Sequence, residues 1–410
     1  MRVVYERCCG LDVHKKTVVA CVLITEPSGE LQRHIRTFST MTAGLLALAD
    51  WLESMHIPVV AMESTGVYWR PVFNLIEEGR TIILVNAQHM KAVPGRKTDV
   101  KDAEWLADLL RHGLLTASFI PPAPIREIRD LVRYRKTLVQ ERAQEVNRIQ
   151  KVLETANVKL SSVATDVLGK SGRDMLHAII EGTTDAEVLA NLARGLLRKK
   201  LPQLQEALDG RVQPHHRILL KHILAHVAFL EQELEQLQQE IEQRLPPFEE
   251  EMGLLLSIPG IQALSAAAIL AEIGADMSRF PSAKHLASWA GVCPGNKQSG
   301  GKRLSGKTRK GNATLRAALA EVVWVISHTK DNYLAAQYHR LARRIGKNKA
   351  AMAVAHSVLV IIYHVLDTRK PYSDLGADYF QKQDANRVAQ RSLRQLEALG
   401  YEVTLTPKVA

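Results

Sequence analysis

The sequence predicts a multidomain α+β protein, in which a mixed α/β domain comes first and helical regions make up the rest. Over residues 1–120, short apolar runs typical of strands alternate with amphipathic helical segments. Beyond a proline-rich boundary, the sequence carries helical periodicity over long stretches. At 410 residues, the chain is also too long for one ordinary hydrophobic core. We therefore expect domains at residues 1–120, 121–250 and 251–370, followed by a peripheral helix and tail at 371–410.

The composition favours a globular protein with a polyanionic partner. Hydrophobic residues make up 46% of the chain, and the formal net charge is +11 at pH 7. Such a charge favours nucleic acid, although basic enzymes of other kinds reach similar values. The four cysteines have no CxxC spacing, which argues against a zinc site or a disulfide framework. The uncharged apolar stretches fall short of a membrane span and no apolar leader opens the chain, so we expect a cytoplasmic protein without a membrane partner.

The first domain shows the order of its strands and helices in its apolar runs. Three opening strands in an antiparallel meander are indicated by VVYERCCGLDVHKKTVVACVLI and LQRHIRTFS. Next come a helix in AGLLALADWLESM, a strand in IPVVAMES, a helix in VYWRPVFNLIEEG and a strand in TIILVNA. A further helix begins near Asp99, after the loop QHMKAVPGRKT. The predicted domain is thus a meander followed by alternating strands and helices.

Four acidic residues lie where this order of elements allows them to converge. Asp12 is in the first strand, Glu63 ends the fourth, and Asp99 and Asp102 are one turn apart at the start of the late helix. Acids on strand one, strand four and a late helix are the layout of a ribonuclease-H-like domain. Carboxylate oxygens suit divalent cations, and two such cations can clamp a phosphodiester, so the quartet predicts phosphoryl transfer on nucleic acid. His14 could assist a metal or a proton transfer, but a polar residue at this position more often faces solvent, and we leave it outside the quartet.

A long, arginine-rich helix is predicted after the boundary PPAPI, because prolines cannot continue a helix and the following residues keep helical periodicity. Its bases outnumber its acids, and they include Arg133 and Arg148. Two interpretations stay open: a solvated helix with paired charges along its surface, or a helix that follows a phosphate backbone. In the second interpretation, Arg133 and Arg148 bind nucleic acid.

A heptad seam follows within residues 217–245. Its apolar residues are spaced three and four apart, as in a coiled coil, with Glu and Gln outside the seam. They are Leu220, Ile223, Val227, Leu230, Leu234, Leu237 and Ile241. Three heptads are short for an independent dimer. The seam therefore predicts a helical, coiled-coil middle region, which forms either an intramolecular hairpin with the preceding helix or a dimerisation element.

The region 251–370 begins with two helical stretches, in LLSIPGIQALSAAAILAEIG, joined by a Pro-Gly-apolar turn. This arrangement is similar to a helix-hairpin-helix, in which backbone N–H groups at the turn hold a phosphate. Gly260 is then a nucleic-acid contact; the alternative is a plain connection between helices. The rest of the region predicts a mainly α domain, which includes the buried helix AMAVAHSVLVIIYHVL.

The strongest basic feature is a loop without any acidic residue. No Asp or Glu occurs from Met277 through Ala320, and glycines and serines lie between the cations. A solvated charged surface normally mixes signs, so this loop is better explained as a phosphate-binding segment. The uncrowded backbone beside Gly300 would let a scissile phosphate reach the hydroxyl of Ser299. The candidate nucleic-acid ligands here are Lys297, Lys302, Arg303, Lys307, Arg309, Lys310 and Arg316.

Four motifs in this order resemble those of the DEDD-type insertion-sequence transposases, the IS110 family. They are DVHK around Asp12, MESTGVYW around Glu63, NAQHMKAVPGRKTDVKDAEWLADLL around Asp99 and Asp102, and CPGNKQSGGKRLSGKTRKGNATLR around Ser299. The resemblance covers nearly the whole chain. It implies an N-terminal RuvC-like domain, a helical middle and a C-terminal transposase domain.

The resemblance also implies a reaction and a set of partners. Asp12, Glu63, Asp99 and Asp102 would bind two Mg²⁺ ions, which Mn²⁺ can replace, and Ser299 would attack DNA to form a covalent phosphoserine link. The enzyme would excise and insert an insertion sequence in a bacterial or archaeal cell, at the nucleoid. Its partners would be double-stranded DNA, at the element's ends and at the target, and a structured guide RNA. Dimers would assemble into tetramers on DNA, with composite sites that use the acids of one protomer and the serine of another.

Alternatives remain for the nucleophile and for the reaction. Ser305 also lies in a Ser-Gly pair, although the motif order favours Ser299. A RuvC-like junction-resolving nuclease would use the same acids with metal-activated water, and Ser299 would then only contact phosphate. A non-catalytic nucleic-acid-binding protein is a third class. The complete set of acids disfavours the third class, and the large C-terminal region disfavours the second.

Overall fold

The computed structural model of the chain describes residues 2–64, 66–85, 99–295, 297–300, 302–308, 310–400, 402 and 404. Within these ranges, the side chains of residues 99–101, 297–299, 303–305 and several in 384–391 lie outside the description. The chain divides into two units, Met1–Ile120 and Pro121–Ala410. A mixed sheet in the first unit and helices in the second confirm the predicted α+β class.

The first unit is built on a five-stranded sheet in the order β3-β2-β1-β4-β5. Its strands are β1 (Arg7–Val13), β2 (Thr17–Thr25), β3 (Leu31–Ser39), β4 (Val59–Glu63) and β5 (Thr81–Val85). The first three form the antiparallel meander that the sequence predicts, whereas β4 and β5 run parallel to β1. Parallel neighbours need a crossover, and the helices α1 (Thr42–Ser54) and α2 (Trp69–Ile76) lie in these connections.

Alternation along the strands divides the side chains of the sheet between two hydrophobic cores. Leu11 points to the core that contains α1 and α2, whereas Cys8 points to the opposite one. That second core is closed by helix α3 (Asp99–Arg111), whose apolar stripe runs from Ala103 to Leu110. Both faces of the sheet are therefore covered, which explains why the central strands are almost continuously apolar.

Helix α3 rests directly on the backbone of β1 at Gly10. A Cβ atom at this position would lie 2.2 Å from the carbonyl oxygen of Ala103 and 2.5 Å from the amide nitrogen of Ala107. Because the neighbouring atoms are backbone, only glycine leaves room for the helix. Gly10 is two residues before Asp12 in the same strand, so this contact also holds α3 close to a candidate catalytic acid.

Gly10→Ala is expected to destabilise the protein by about 1–3 kcal/mol, the usual cost of overpacking, because the atoms that the new methyl group meets cannot rotate away. Urea unfolding of the full chain measures the loss. Gly253→Ala is the matched control, since this glycine is exposed, helical and has nothing within 4 Å of an added Cβ. There the change should be neutral or stabilising by up to about 1 kcal/mol. Equal stabilities of the two variants would contradict the close contact.

The second unit is helical apart from one short β-hairpin, within the described residues. Its longest helices are α4 (Ala123–Thr155), α9 (Pro214–Glu242) and α15 (Lys347–Thr368). The shorter ones are α5 (Leu160–Val163), α6 (Lys170–Glu181), α7 (Ala186–Asn191), α8 (Leu201–Leu208), α10 (Glu249–Leu256), α11 (Ala263–Ile273), α12 (Ala283–Ala290), α13 (Ala313–His328), α14 (Tyr333–Ile345) and α16 (Tyr379–Ala398). Pro122 precedes α4 and Pro214 opens α9, positions where the missing N–H of proline has no helical partner to lose.

Helices α4 and α9 pack against each other as an antiparallel pair. Arg142 of α4 binds Glu231 of α9 at 2.7 Å, and nearer the end of α4 the Thr155 hydroxyl lies 3.4 Å from the His216 ring, near the start of α9. Val227, at the centre of the heptad seam, is fully buried in the core that the two helices share. Of the two arrangements left open by the heptad spacing, the structure shows the intramolecular one, because the seam packs on an earlier helix of the same chain.

Helix α15 is the one helix, among the described residues, that is long and apolar enough to cross a membrane by length and composition. The expectation that every apolar stretch falls short of such a span was therefore wrong for this segment. In the structure it is a core helix: Val354, Val358 and Ile362 are buried, and it packs against α10, α12, α13 and α14. Its apolar side chains are thus covered by neighbouring helices of the second unit.

Candidate functional site

The carboxyl ends of two parallel strands bring Asp12 and Glu63 to neighbouring positions. Strands β1 and β4 pair with Leu11 opposite Met62, so the next residues along the two strands are Asp12 and Glu63. Alternation turns both acids away from the core that holds Leu11 and Met62, toward the face that α3 covers. Both are half-buried. These two acids therefore share one edge and one face of the sheet.

The start of helix α3 lies at the same edge. The helix runs antiparallel to β1, because the amide of Val4 donates to the carbonyl of Arg111 at 2.9 Å while Gly10, further along the strand, meets earlier residues of the helix. The first turn of α3 is therefore near the carboxyl end of β1. Asp102 is half-buried there, and Asp99 is the first residue of the helix. The side chain of Asp99 lies outside the described residues.

The chemistry of these residues fits a hard divalent cation, because they present carboxylate oxygens. Within the side chains that the structure describes, no three acidic, histidine or cysteine groups are close enough together to hold a metal ion. The backbone thus gathers Asp12, Glu63 and Asp102 at one edge without closing a complete ligand set. Mg²⁺ is commonly held by one or two carboxylates together with phosphate oxygens of the substrate, and this open arrangement is compatible with that mode.

His14 contacts the acid of β1, although sequence reasoning left it outside the quartet. Its Nε2 atom lies 3.0 Å from Oδ2 of Asp12, and its ring is half exposed to solvent. Residues two apart on a strand share a face, which was the available signal. The imidazole therefore holds the Asp12 carboxylate in place.

The acid-free loop around Ser299 contains a β-hairpin, which sequence analysis missed. Strand β6 (Lys297–Ser299) pairs with β7 (Lys302–Ser305), and Ser299 is opposite Lys302. Ser299 is thus the last residue of β6, directly before the turn, while its side chain lies outside the described residues. Lysine, serine and glycine give no apolar alternation, so the sequence carries no strand signal here.

Both ends of the hairpin are tied to each other at its base. The amide of Gly295 donates to the carbonyl of Lys307 at 2.9 Å, and Pro294 forms an isolated bridge with Thr308. A few residues later the chain reaches Asn312, the residue that caps helix α13. The serine-bearing segment is therefore a closed loop between helices α12 and α13.

A buried carboxylate anchors the end of this loop. Glu272 of α11 is fully buried, and its two oxygens accept hydrogen bonds at 2.7 and 2.8 Å from the guanidinium of Arg133 in α4. Asn312 donates its Nδ2 to the same carboxylate at 2.5 Å, while its Oδ1 accepts from the amides of Thr314 and Leu315. One carboxylate therefore joins α4, α11 and the first turn of α13.

The charges around Glu272 compensate for its burial. Burial alone would raise the pKa of this carboxyl, but the hydrogen bonds from Arg133 and Asn312 and the positive charges of Arg133 and Arg129 outweigh it, so the pKa is lowered overall. Arg129 also donates to the carbonyls of Ala271 and Glu272, both at 2.8 Å. Sequence analysis missed this network. The only signal was one acid in an otherwise apolar helix.

Two arginines predicted to bind nucleic acid have partners inside the protein. Arg133 is committed to Glu272, and the same contact raises the pKa of its guanidinium further. Arg148 binds the buried Glu145, which lies one turn earlier in α4. The structure thus favours the interpretation that the charges of this helix are paired within the protein. Because Arg133 makes two hydrogen bonds to a buried acid, its role is structural. Arg133 is therefore not among the proposed DNA ligands.

The turn between α10 and α11 contains Gly260, the predicted helix-hairpin-helix glycine. Its φ is +85°, and a Cβ atom would lie 2.6 Å from Ile326 Cγ1 and 2.9 Å from the carbonyl of Val322. The first turn of α11 already has a capping box, formed by Gln262 and Ser265. Packing against α13 therefore explains why a glycine is needed here, and no bound phosphate is required. This agrees with the alternative interpretation, a plain connection between helices.

The remaining predicted ligands belong to the serine loop. Those with exposed side chains are Lys302, Lys307 and Lys310, and Arg316 is half-buried at the start of α13. The side chains of Lys297 and Arg303 and the whole of Arg309 lie outside the described residues. All three exposed lysines follow the hairpin turn in the sequence, in strand β7 or beyond it.

Removing the charge of Glu272 should destabilise the second unit. Glu272→Gln is expected to cost about 1–3 kcal/mol at pH 7, because it removes the charge-assisted hydrogen bonds that the buried carboxylate accepts from Arg133 and Asn312. Because folding lowers the pKa of Glu272, its stabilisation is fully present above the ordinary value of 4.5 and is lost as the pH falls through the folded value. The difference in unfolding free energy between the wild type and Glu272→Gln should therefore become smaller as the pH falls below 4.5.

Urea unfolding at several pH values measures this difference. Glu240→Gln is the matched control, because Glu240 forms a solvent-exposed pair with Arg244 one turn away. It should change stability by less than about 0.5 kcal/mol. A difference between wild type and Glu272→Gln that stays constant down to pH 3 would show that the charge of Glu272 does not matter.

Several curated proteins are similar to the chain over most of its length. A putative transposase of Sinorhizobium fredii is 26% identical over 347 residues, which are 83% of this chain and 73% of the relative. The pilin gene-inverting protein of Moraxella bovis is 25% identical over 377 residues, 88% of this chain and 96% of the relative. The transposase for insertion sequence element IS1328 of Yersinia enterocolitica is 22% identical, over 71% of this chain and 77% of the relative.

Two family models match the chain in separate segments. A DEDD-type transposase model of the IS110 group matches residues 9–158, the segment with all four candidate acids. A second model, described as Transposase IS116/IS110/IS902 family, matches residues 252–339, the segment with Ser299. The two segments follow each other in the same order as the four motifs, and the relatives align over most of the chain. The chain therefore belongs to the IS110 family of transposases and is a DNA transposase or recombinase.

Proposed function

We propose that this transposase cuts and rejoins DNA through a covalent link to Ser299, with divalent metal ions bound by Asp12, Glu63, Asp99 and Asp102. The single observation that carries the proposal is the presence of two separate chemical centres in one chain. One is an edge of carboxylates in the first unit, and the other is an acid-free, lysine-rich hairpin that ends β6 on a serine. A hydrolytic nuclease would need only the first.

The first unit supports a RuvC-like, ribonuclease-H-type domain. Its strand order has three antiparallel strands at one side and two parallel strands at the other. Asp12 and Glu63 lie at adjacent strand ends, and the helix that begins with Asp99 returns to the same edge. This topology places carboxylates from distant parts of the sequence at one edge, as a metal-dependent nuclease requires.

The proposed cofactor is Mg²⁺, as two ions, and Mn²⁺ is expected to replace it. When bound, it supplies positive charge to the phosphoryl oxygens and to the leaving oxygen. The four carboxylates would hold it because they are hard oxygen ligands, which a divalent ion of this kind prefers. His14 would keep the carboxylate of Asp12 oriented through its contact with Oδ2.

The proposed chemical step exchanges one phosphodiester for another. The Ser299 oxygen attacks phosphorus and forms the new P–O bond, while its hydroxyl proton is lost to solvent or to a carboxylate. The bond to the displaced DNA oxygen breaks, and this oxygen takes up a proton from solvent to leave as a hydroxyl end. A serine hydroxyl is a weak nucleophile near neutral pH, so it needs this charge stabilisation. Because the bond energy is retained in the serine ester, the DNA ends can be rejoined without ATP.

The proposed partners are double-stranded DNA, a structured guide RNA and further copies of the chain. Exposed Lys302, Lys307 and Lys310 support phosphate contact beside Ser299. The pilin gene-inverting relative supports DNA rearrangement as the outcome. The guide RNA, and dimers or tetramers with composite sites that use the acids of one protomer and the serine of another, rest on the family resemblance.

Ser299→Ala is expected to abolish the covalent protein–DNA adduct, because Ser299 supplies the attacking oxygen in the proposed reaction. Ser305→Ala is the matched control, since Ser305 is in the other strand of the same hairpin, and it should retain the adduct. Denaturing gels of protein incubated with substrate DNA and Mg²⁺ resolve the adduct. Chelation of the metal should remove the adduct from the wild-type lane, and the Asp12→Asn variant should form no adduct.

Two results of this experiment would overturn the assignment. An adduct that persists in Ser299→Ala and disappears in Ser305→Ala would transfer the role to Ser305. Cut DNA with free 5′-phosphate ends and no adduct in any lane would favour the alternative, a junction-resolving nuclease that uses the same acids and an activated water molecule.

A guide RNA should remain bound during purification of the full chain. Because exposed cations bind phosphate without regard to sequence, bulk RNA is removed first by a high-salt wash. Sequencing of the retained RNA should then recover one structured species encoded beside the gene. Ser299→Ala, which keeps the cations, should retain the same RNA. A mixture that matches total cellular RNA would contradict the guide.

A further inference from the structure

A second acid-free stretch lies outside the serine loop. No Asp or Glu occurs from Asn332 through Leu366, a span that includes helix α14 and nearly all of α15. Four of its cations are concentrated at the junction of these helices. We call them the basic corner: Arg343, Arg344, Lys347 and Lys349.

The basic corner is the tip of a helical hairpin. Helix α14 ends at Ile345 and α15 begins at Lys347, with Gly346 at a φ of +83° between them. The two helices are antiparallel, because Gln337 of α14 donates to the hydroxyl of Ser357 in α15 at 3.0 Å. The turn, with two cations on each side of it, is therefore at one end of the pair.

All four side chains of the basic corner are exposed, and no acid that the structure describes pairs with them. Several other exposed cations in the second unit have acidic partners. Examples are Lys159 with Glu154, Arg244 with Glu240, Arg279 with Asp276 and Lys382 with Asp378. The corner thus differs from these sites, because four exposed cations lie close together in the sequence without a paired acid.

The two lysines of the corner do not stabilise the free protein. Lys347 and Lys349 are in the first turn of α15, where the helix dipole disfavours positive charge, and no acid or side-chain cap is present there. Arg343 and Arg344 are in the last turn of α14, where the helix dipole favours positive charge, but like charges repel between them and the two lysines across the turn. The corner is therefore better suited to bind a polyanion than to remain exposed to water.

The residues between these cations indicate the kind of polyanion. The segment from Arg343 to Lys349 contains no aromatic side chain. Proteins that bind single strands usually stack bases on aromatic rings, whereas contacts to a duplex backbone need only cations and backbone donors. A duplex phosphate backbone is therefore the ligand that matches the corner.

We propose that the basic corner is a second binding surface for the phosphate backbone of duplex DNA, separate from the hairpin that carries Ser299. It rests on the family's action on DNA and not on the serine mechanism. It binds without regard to sequence and adds affinity that depends strongly on salt, because each neutralised phosphate releases counterions.

Two charge-matched variants test this proposal in the full chain. The corner variant carries Arg343→Gln, Arg344→Gln, Lys347→Gln and Lys349→Gln. The control variant carries Lys159→Gln, Arg244→Gln, Arg279→Gln and Lys382→Gln, so both lose the same formal charge. Affinity for a duplex of arbitrary sequence is measured between about 50 and 300 mM KCl. The corner variant should lower the salt slope by about 2–4, at roughly 0.9 per lost phosphate contact, and the control should keep the wild-type slope.

Thermal unfolding separates lost contacts from lost structure. The corner variant should melt close to the wild-type temperature, because the repulsion and the unfavourable charges at the start of α15 are removed together with the favourable arginines at the end of α14. A wild-type salt slope in the corner variant overturns the proposal, as does a lower melting temperature combined with weaker binding. A loss of affinity for structured RNA alone, with duplex binding intact, also overturns it.

The same measurements distinguish this proposal from the proposed function. Ser299→Ala should bind duplex DNA with the wild-type salt slope, because it keeps all four corner cations. If the wild type forms the covalent adduct but the corner variant keeps its slope, only the corner proposal fails. If the slope falls in the corner variant while no lane contains an adduct, only the serine mechanism fails.

Discussion

The structure of the second unit depends on one buried ionic interaction. A carboxylate without exposure to water costs several kcal/mol unless its oxygens are fully hydrogen-bonded, and Glu272 satisfies this only with Arg133 and Asn312 in place. The two parallel hydrogen bonds of Arg133 also restrict the direction of approach, because the guanidinium is planar. Helices α4 and α11 and the start of α13 are therefore compatible in one arrangement, and the loop that carries Ser299 ends at a fixed point.

In the first unit, apolar packing instead of an ionic interaction fixes the positions of the candidate catalytic residues. The strands alternate between two cores, so Asp12 and Glu63 must face α3 if Leu11 and Met62 face α1 and α2. Contact at Gly10 then sets the distance between α3 and the sheet. Catalytic groups that must act together within fractions of an ångström belong on such rigid elements. In each unit, residues outside the chemistry determine where the reactive residues lie.

The sequence predicted the elements whose signals are local. Apolar runs of strand length located β1, β4 and β5, and acids next to those runs indicated the edge that Asp12 and Glu63 share. It did not predict the partner of Arg133, because Glu272 is 139 residues away and neither residue has a local pattern that reveals the pair. The hairpin at Ser299 was also missed, since its strands contain almost no apolar residues and owe their pairing to backbone hydrogen bonds.

The fate of the cations shows why net charge alone does not locate a nucleic-acid surface. Helix α4 is rich in arginine, yet Arg133, Arg142 and Arg148 each hold a carboxylate of the same chain. A helix with mixed charges can satisfy them internally, so its cation density says little about an external partner. A segment without acids offers fewer such partners, and within 277–320 Arg279 finds one only in Asp276, the residue just before the stretch. The loop at residues 277–320 and the span at residues 332–366 are both of this kind. Absence of acids, more than abundance of arginine and lysine, therefore indicates where this chain leaves positive charge for DNA.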